Sequence, residues 1–527
     1  MNAFNKLNKK VIIGTLCLLA IIAVTIAIGS KIMFGTSLIP GVNGAYYLVQ
    51  ARSIIEKLHL GEHDMPLIFL LQAGFALLIK LFSNMNLQSS IFIAVKVFDS
   101  VIPAFSAVPA FLIVRYLNKD KNYILPIIAS AAIVTLSYGP LRMLGDFQKN
   151  ALGMLWFLFM AYFLIKALSM HSRRDFILSL IFLVLCGLTH IGAFGVALVF
   201  MVLSALTSIL FVSKLSKHTL IVFGVTTIGI AGLLTLLMIS ADPIKIQRLI
   251  SYLKAPFSLF QFPNVRGMFR GESSQNTIIF GLISAIMIFL PIWKRRSFEK
   301  WEYVIVIPSI IMTLFLVCPF VSQDFSTRFQ IMAFAPGMIT LAFFFRHSND
   351  SINGAIASLL VAALIVGLPS VMATASAPSI SEASYSELTT LQSSITDPAE
   401  TLVIARHGLE WWVAWSLHTN VAQASAVTAN DWNNYKNVLY IQELSTGKGF
   451  AAQAPQLQQP PVGSTLPPVL YQNKSPQPPN QIPQNSQLPN PFFNTVITSS
   501  DEITLFKGNY FILYKLPTAI TLPGGNK

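Results

Sequence analysis

The sequence predicts a mainly α fold. It reads as a polytopic bundle of about eleven transmembrane helices followed by an extracytoplasmic C-terminal domain of α/β or α+β type. Three observations predict it. Of the 527 residues, 54% are hydrophobic and only 11% are charged, whereas a soluble domain carries about a quarter charged residues. The mean hydropathy is +0.63. The apolar residues also fall into runs of membrane-spanning length, while the chain beyond residue 372 is mixed and largely polar.

The apolar runs lie at 11–30, 66–82, 91–114, 123–139, 151–168, 176–190, 191–213, 219–239, 277–293, 302–320, 328–345 and 352–372. If all of them cross, the loops holding Arg115, Lys119 and Lys121, and Lys166 with Arg173 and Arg174, fall outside, against the positive-inside rule. The run 66–82 is short and opens on Pro66, which suits a re-entrant or interface-lying helix. Without it, Lys6, Lys9 and Lys10, the two loops just named, Lys214 with Lys217, the cluster 294–300 and Arg346 all face the cytoplasm. The exception is the longer outer loop 240–276, where the rule is weaker. An odd number of crossings places the N-terminus inside and residues 373–527 outside, so the expected domains are 1–372 and 373–527.

The net charge of +14 sits mostly in these short loops, which points to membrane anchoring and away from nucleic acid. Cys17, Cys186 and Cys318 all lie in or beside apolar runs, so neither a disulfide framework nor a cysteine metal site is indicated. The first apolar run is too long for a signal-peptide core and no small-residue cleavage site follows it. In the tail, 401–405 reads as a strand and 435–443 as helix or strand. Residues 503–506 and 510–514 read as a hairpin around 507–509. The Pro-, Gln- and Asn-rich stretch 451–493 reads as an extended or disordered insertion.

The chemistry-bearing residues gather on the expected outer face. The first outer loop carries Asn43, Tyr46 and Tyr47, an amphipathic segment over 46–57, and then Glu62, His63 and Asp64 ahead of the run at 66. The acids suit acid–base work or a metal, and the same residue types cap helices. The second outer loop packs Arg142, Asp146, Gln148, Lys149 and Asn150 between two spans. Asp146 beside a cation reads as a catalytic carboxylate next to a phosphate-binding Lys149, or as a capping pair. Asp99 is an intramembrane carboxylate with Lys96 and Ser100 as local partners, and His190 stands between two spans. Arg328 opens a span on the outer side, where a guanidinium suits a phosphate or carboxylate and where Asp324 is a candidate partner.

Taken together these segments resemble the GT-C class of membrane glycosyltransferases, and within it the catalytic subunit of oligosaccharyltransferases. Asn43-Gly44-Ala45-Tyr46-Tyr47 stands where that family has an Asp-Gly-Tyr-like motif. Gly145-Asp146-Phe147-Gln148-Lys149-Asn150 stands at its acidic second loop, and Arg328-Phe329 at its Arg-Phe pair. The stretch 402–421, with His407, Glu410, Trp411 and Trp412, lies where the family has a Trp-Trp-Asp motif. The departures are specific: family acids fall on Asn43, Gln148 and Asn150, and the Trp-Trp-Asp motif falls on Arg406-His407-Gly408.

The resemblance implies inverting sugar transfer from a polyprenyl-phosphate-linked donor to an extracytoplasmic protein or glycan acceptor other than the usual Asn sequon. Asp146, Asp64 or Glu62 would be catalytic. Arg328, Arg142 and Lys149 would hold the phosphate. His190, Asn43, Tyr46, Tyr47, His407, Glu410, Trp411 and Trp412 would contact substrate. A divalent cation needs anionic oxygen ligands, so Mg or Mn is expected only if Glu62, Asp64 and Asp146 converge; otherwise the chemistry is metal-independent. The rivals are a lipid or solute transporter or flippase, and a non-catalytic subunit of the same fold.

Overall fold

The computed structural model describes residues 2–118, 121–211, 229, 232, 298–318, 320–321, 323–373, 377–424, 427–428, 432–444 and 503–516. The expected runs 219–239 and 277–293, the loop 240–276 and the insertion 451–493 lie outside these residues. The chain divides into two compact units, one of Met1–Gly35 with Gln50–Ser376 and one of Thr36–Val49 with Ala377–Lys527. The segment 35–66 is therefore shared: Asn43, Tyr46 and Tyr47 belong to the second unit, Glu62 and Asp64 to the first.

The helices of the first unit are α1 (Asn2–Phe34), α2 (Gly44–Lys57, its first turns in the second unit), α3 (Leu67–Phe82), α4 (Leu87–Phe105), α5 (Ala107–Leu117), α6 (Ile124–Leu136), α7 (Tyr138–Arg142), α8 (Gln148–Met170), α9 (Arg173–Thr189) and α10 (Ile191–Phe211). After the undescribed stretch come α11 (Lys300–Leu316), α12 (Gln323–Met332), α13 (Phe334–His347) and α14 (Asp350–Ala373). Among the described residues, seven helical stretches are long and apolar enough to cross a membrane. Helices α9 and α11 have 17 residues each, at the short end of the ~17–25 that span hydrocarbon. The chain is an integral membrane protein. With 16 residues, α3 is about 24 Å long, short of a hydrocarbon core of ~30 Å.

Local chemistry sets the breaks. Pro103 and Pro109 remove donors from one 31-residue apolar stretch and divide it into α4 and α5 at Ser106. Asn86 caps α4 by accepting from the Ser89 N–H at 2.8 Å, and Ser172 caps α9 by accepting from the Asp175 N–H at 3.2 Å. Small residues let helices approach closely. A Cβ on Gly29 of α1 would lie 2.9 Å from the Ser100 carbonyl oxygen of α4, and one on Gly153 of α8 would run into Ala193 of α10. A buried Glu302 pairs with Arg346 and, at 3.1 Å, with His347, tying the start of α11 to the end of α13.

The second unit holds α15 (Glu382–Thr390), β1 (Thr401–Ala405), α16 (Leu409–Leu417), β2 (Asn420–Gln423), β3 (Asn437–Glu443), β4 (Ile503–Lys507) and β5 (Phe511–Leu516). The sheet order is β2-β1-β3-β5-β4. Strand β1 pairs in parallel with β2 and β3, while β5 pairs antiparallel with β3 and β4. Leu402, Ile404, Val427, Trp432, Val438 and Leu516 form a core beneath it. Strands β4 and β5 are the hairpin expected around 507–509.

Candidate functional site

In the first unit the site is built around the loop from α7 to α8. Helix α7 has five residues and packs on α12, where a Cβ on Gly139 would meet the Ile331 carbonyl oxygen and sit 2.9 Å from Phe334. The loop then turns at Gly145, whose φ of 82° lies in the left-handed region that glycine enters without cost. Helix α8 follows with Gln148, Lys149 and Asn150 in its first turn.

A lysine in the first turn opposes the helix dipole. Lys149 is compensated by an ion pair with Asp64, which comes from the loop ahead of α3, and its ammonium also lies 5.7 Å from the Phe69 ring centre. The other Asp64 oxygen accepts from the Met65 N–H at 2.7 Å. Asp146 sits just before α8, where a carboxylate is favoured; Arg142 donates to it at 3.2 Å and stacks over Phe147 at 5.6 Å. Asp64 and Asp146 are both 7% exposed, so these pairs are enclosed rather than solvated.

Three buried side chains brace this loop. Asp99 of α4 accepts from the Gly145 N–H at 2.5 Å, so its partner is the loop backbone and not Lys96 or Ser100. Ser100 instead donates to the Lys96 carbonyl, and the Lys96 ammonium lies over the rings of Phe34 and Phe92. Gln72 of α3 donates to Gln148 at 2.6 Å. Asn150 donates weakly to the Met332 sulfur at 3.8 Å.

The remaining candidates in this unit sit differently. Glu62 exposes its side chain, while its backbone N–H and carbonyl are tied by Gln50 at 3.1 and 2.9 Å. Among the described residues no three or more His, Cys, Asp or Glu side chains are placed to hold a metal ion. Glu62, Asp64 and Asp146 therefore do not converge as a cation site, and Gln148 and Asn150 are engaged with protein partners. Among the described residues, the side chains at these positions do not fit the divalent cation of the resembled family. His190 caps α10, its Nδ1 accepting from the Ala193 N–H at 3.3 Å. Arg328 is exposed on α12, and the side chain of Asp324, its expected partner, lies outside the described residues.

The second unit gathers polar groups at the carboxyl ends of its parallel strands. There β1 has neighbours on both sides, the crevice where open α/β sheets bind ligands. Arg406 and His407 follow β1, Gln423 ends β2 and Glu443 ends β3. Arg406 pairs with Glu443 at 2.5 Å and donates to the Ser379 carbonyl at 2.9 Å. His407 Nδ1 lies 3.0 Å from Glu410, which also accepts from Gln423 at 2.9 Å. Glu410 is 1% exposed, and its second oxygen meets no partner among the described residues. Trp411 meets Tyr46 edge to face at 4.7 Å, and Tyr46 meets Tyr47 at 5.7 Å. The Asn43 carbonyl accepts from the Tyr46 N–H at 3.1 Å. Trp412 is core: it is fully buried, donates to Ser379 at 3.0 Å and packs on Tyr385.

Sequence reasoning missed Gln72, Gln423 and Glu443 as partners. Gln72 left a signal, a lone amide in an apolar run; the other two are brought in by sheet register and left none.

No described family profile and no curated protein matches the chain. Solved structures do. The oligosaccharyltransferase of Archaeoglobus fulgidus in its apo form superposes with a TM-score of 0.51 over 81% of this chain and 69% of its own, at 11% identity. ArnT from Cupriavidus metallidurans in the apo state gives 0.50 over 95% and 98%, at 10% identity. ArnT bound to undecaprenyl phosphate gives 0.48 over 96% and 99%, at 11% identity. At such identities the likeness is one of architecture, and this chain has the fold of the GT-C membrane glycosyltransferases.

Proposed function

We propose that the chain is a membrane glycosyltransferase that moves a sugar from a polyprenyl-phosphate-linked donor to an extracytoplasmic protein or glycan acceptor. The observation that carries this reading is the loop 142–150, where the Arg142–Asp146 and Lys149–Asp64 pairs stand together inside an apolar unit. Charges so placed are expensive and mark function more often than not. The fold shared with an oligosaccharyltransferase supports the same reaction class.

A phosphate reaching this loop competes with the carboxylates for Lys149 and Arg142. Asp64 already has both oxygens engaged, which suits it to holding Lys149. Asp146 is then the base that takes the proton of the acceptor hydroxyl. The acceptor oxygen bonds to the anomeric carbon as the bond from that carbon to the phosphate oxygen breaks. Lys149, Arg142 and Arg328 balance the charge on the departing polyprenyl phosphate. No metal takes part in this scheme. Within the second unit, Arg406, His407 and Glu410, with Trp411 and Tyr46, are proposed substrate contacts, and Trp412 supports their helix. The same reading has eleven crossings, a cytoplasmic N-terminus and an extracytoplasmic second unit.

The amides at Asn43, Gln148 and Asn150 favour a second reading, a non-catalytic subunit of this fold. Binding of polyprenyl phosphate to the detergent-solubilised chain separates the two. Lys149→Ala and Arg142→Ala are each expected to weaken it about tenfold or more. Unaltered binding in both removes the phosphate role of the loop.

A further inference from the structure

We infer that Asp99 and Gln72 are positioning residues that fix the loop 142–150 from beneath; the inference rests on reading that loop as the site of sugar transfer. Asp99 is 1% exposed and Gln72 fully buried, both on apolar helices where a polar side chain is costly. Each spends its polarity on the loop. Asp99 accepts from the Gly145 N–H at 2.5 Å, at the left-handed turn between Arg142 and Asp146. Gln72 donates at 2.6 Å to Gln148, the residue before Lys149. The two contacts bracket Asp146 and Phe147.

Stability alone does not account for them. Among the described residues the second Asp99 oxygen, Gln72 Oε1 and Gln148 Nε2 are buried and meet no hydrogen-bond partner. An apolar packing of the same shape would avoid that penalty. What an apolar contact would not supply is a directional bond holding the backbone of Gly145 and the first turn of α8. A displacement of about 1 Å at reacting groups can cost on the order of a hundredfold in rate. The clamp lets α3 and α4 set where Arg142, Asp146 and Lys149 stand without touching substrate.

The test uses the full chain in detergent or vesicles and compares Asp99→Asn, Asp99→Ala and Gln72→Leu. The asparagine oxygen still accepts from Gly145, so Asp99→Asn should keep turnover and slow hydrogen exchange over 142–150. Asp99→Ala and Gln72→Leu should speed that exchange and lower kcat about tenfold or more, with KM for the donor moving less. If Asp99→Ala does not fold, Gln72→Leu carries the same expectation. Asp99→Asn as inactive as Asp99→Ala in a folded protein overturns the inference, because charge rather than acceptance would then matter. Unchanged exchange and turnover in Asp99→Ala and Gln72→Leu overturn it as well. Lys149→Ala run beside them separates the two failures. If it turns over normally the sugar-transfer reading fails, while the exchange data still judge the clamp.

Discussion

Trp411 and Trp412 are adjacent in sequence and opposite in role. Trp412 is fully buried against Tyr385 with its N–H on Ser379, whereas Trp411 is half-buried against Tyr46. Trp412→Ala should cost ~3–5 kcal/mol, and Trp411→Ala only ~1 kcal/mol from a lost aromatic pair. Thermal unfolding of the full chain in detergent checks the contrast; equal losses would contradict it. Nothing in the dipeptide tells the two apart, since the choice is made by what α16 packs on. The charges of the first unit were more legible. Arg142, Asp146 and Lys149 stand out because each is a charge beside apolar runs, where every charge needs a reason. Their partners were less so: Lys149 finds Asp64 across 85 positions. Asp99 finds a backbone N–H, which no side-chain pattern announces.

At the scale of elements, local pattern marked the long helices, β1 and the hairpin of β4 and β5, left 435–443 open between helix and strand, and gave no sign of β2. The run 91–114, read from sequence as one span, divides into α4 and α5 between Pro103 and Pro109. The docking of α15 on the hairpin was not legible in the sequence either. Glu387 of α15 accepts from the N–H groups of Asn509, Tyr510 and Phe511 at 2.8, 2.9 and 2.8 Å, closing the turn between β4 and β5. Hydrogen bonds to a charged group contribute ~1.5–3 kcal/mol each, net of the exchange with water. Glu387→Ala should therefore speed hydrogen exchange across Ile503–Lys507 and Phe511–Leu516, while leaving β1 and β2 protected. Exchange that rises equally in all strands would show that the turn is not held locally.

At the scale of the molecule, composition alone fixed the membrane class, since 11% charged residues cannot solvate a chain of this size. The sidedness expected from the positive-inside count has a direct check. Ser393 is exposed on the second unit. In a chain whose Cys17, Cys186 and Cys318 are replaced, Ser393→Cys should react with a membrane-impermeant maleimide from the face opposite the N-terminus. Reaction from the same face would mean an even number of crossings. The amides at Asn43, Gln148 and Asn150 stand where the resembled family has acids, and the Arg142–Asp146 and Lys149–Asp64 pairs are a different arrangement. The most direct measurement is release of polyprenyl phosphate from a polyprenyl-phosphate-linked sugar by the purified chain in vesicles, with Asp146→Asn and Arg328→Ala measured alongside. The account predicts release by the wild type and a loss of about a hundredfold or more in Asp146→Asn, with a smaller loss in Arg328→Ala. Release undiminished in both variants would contradict it.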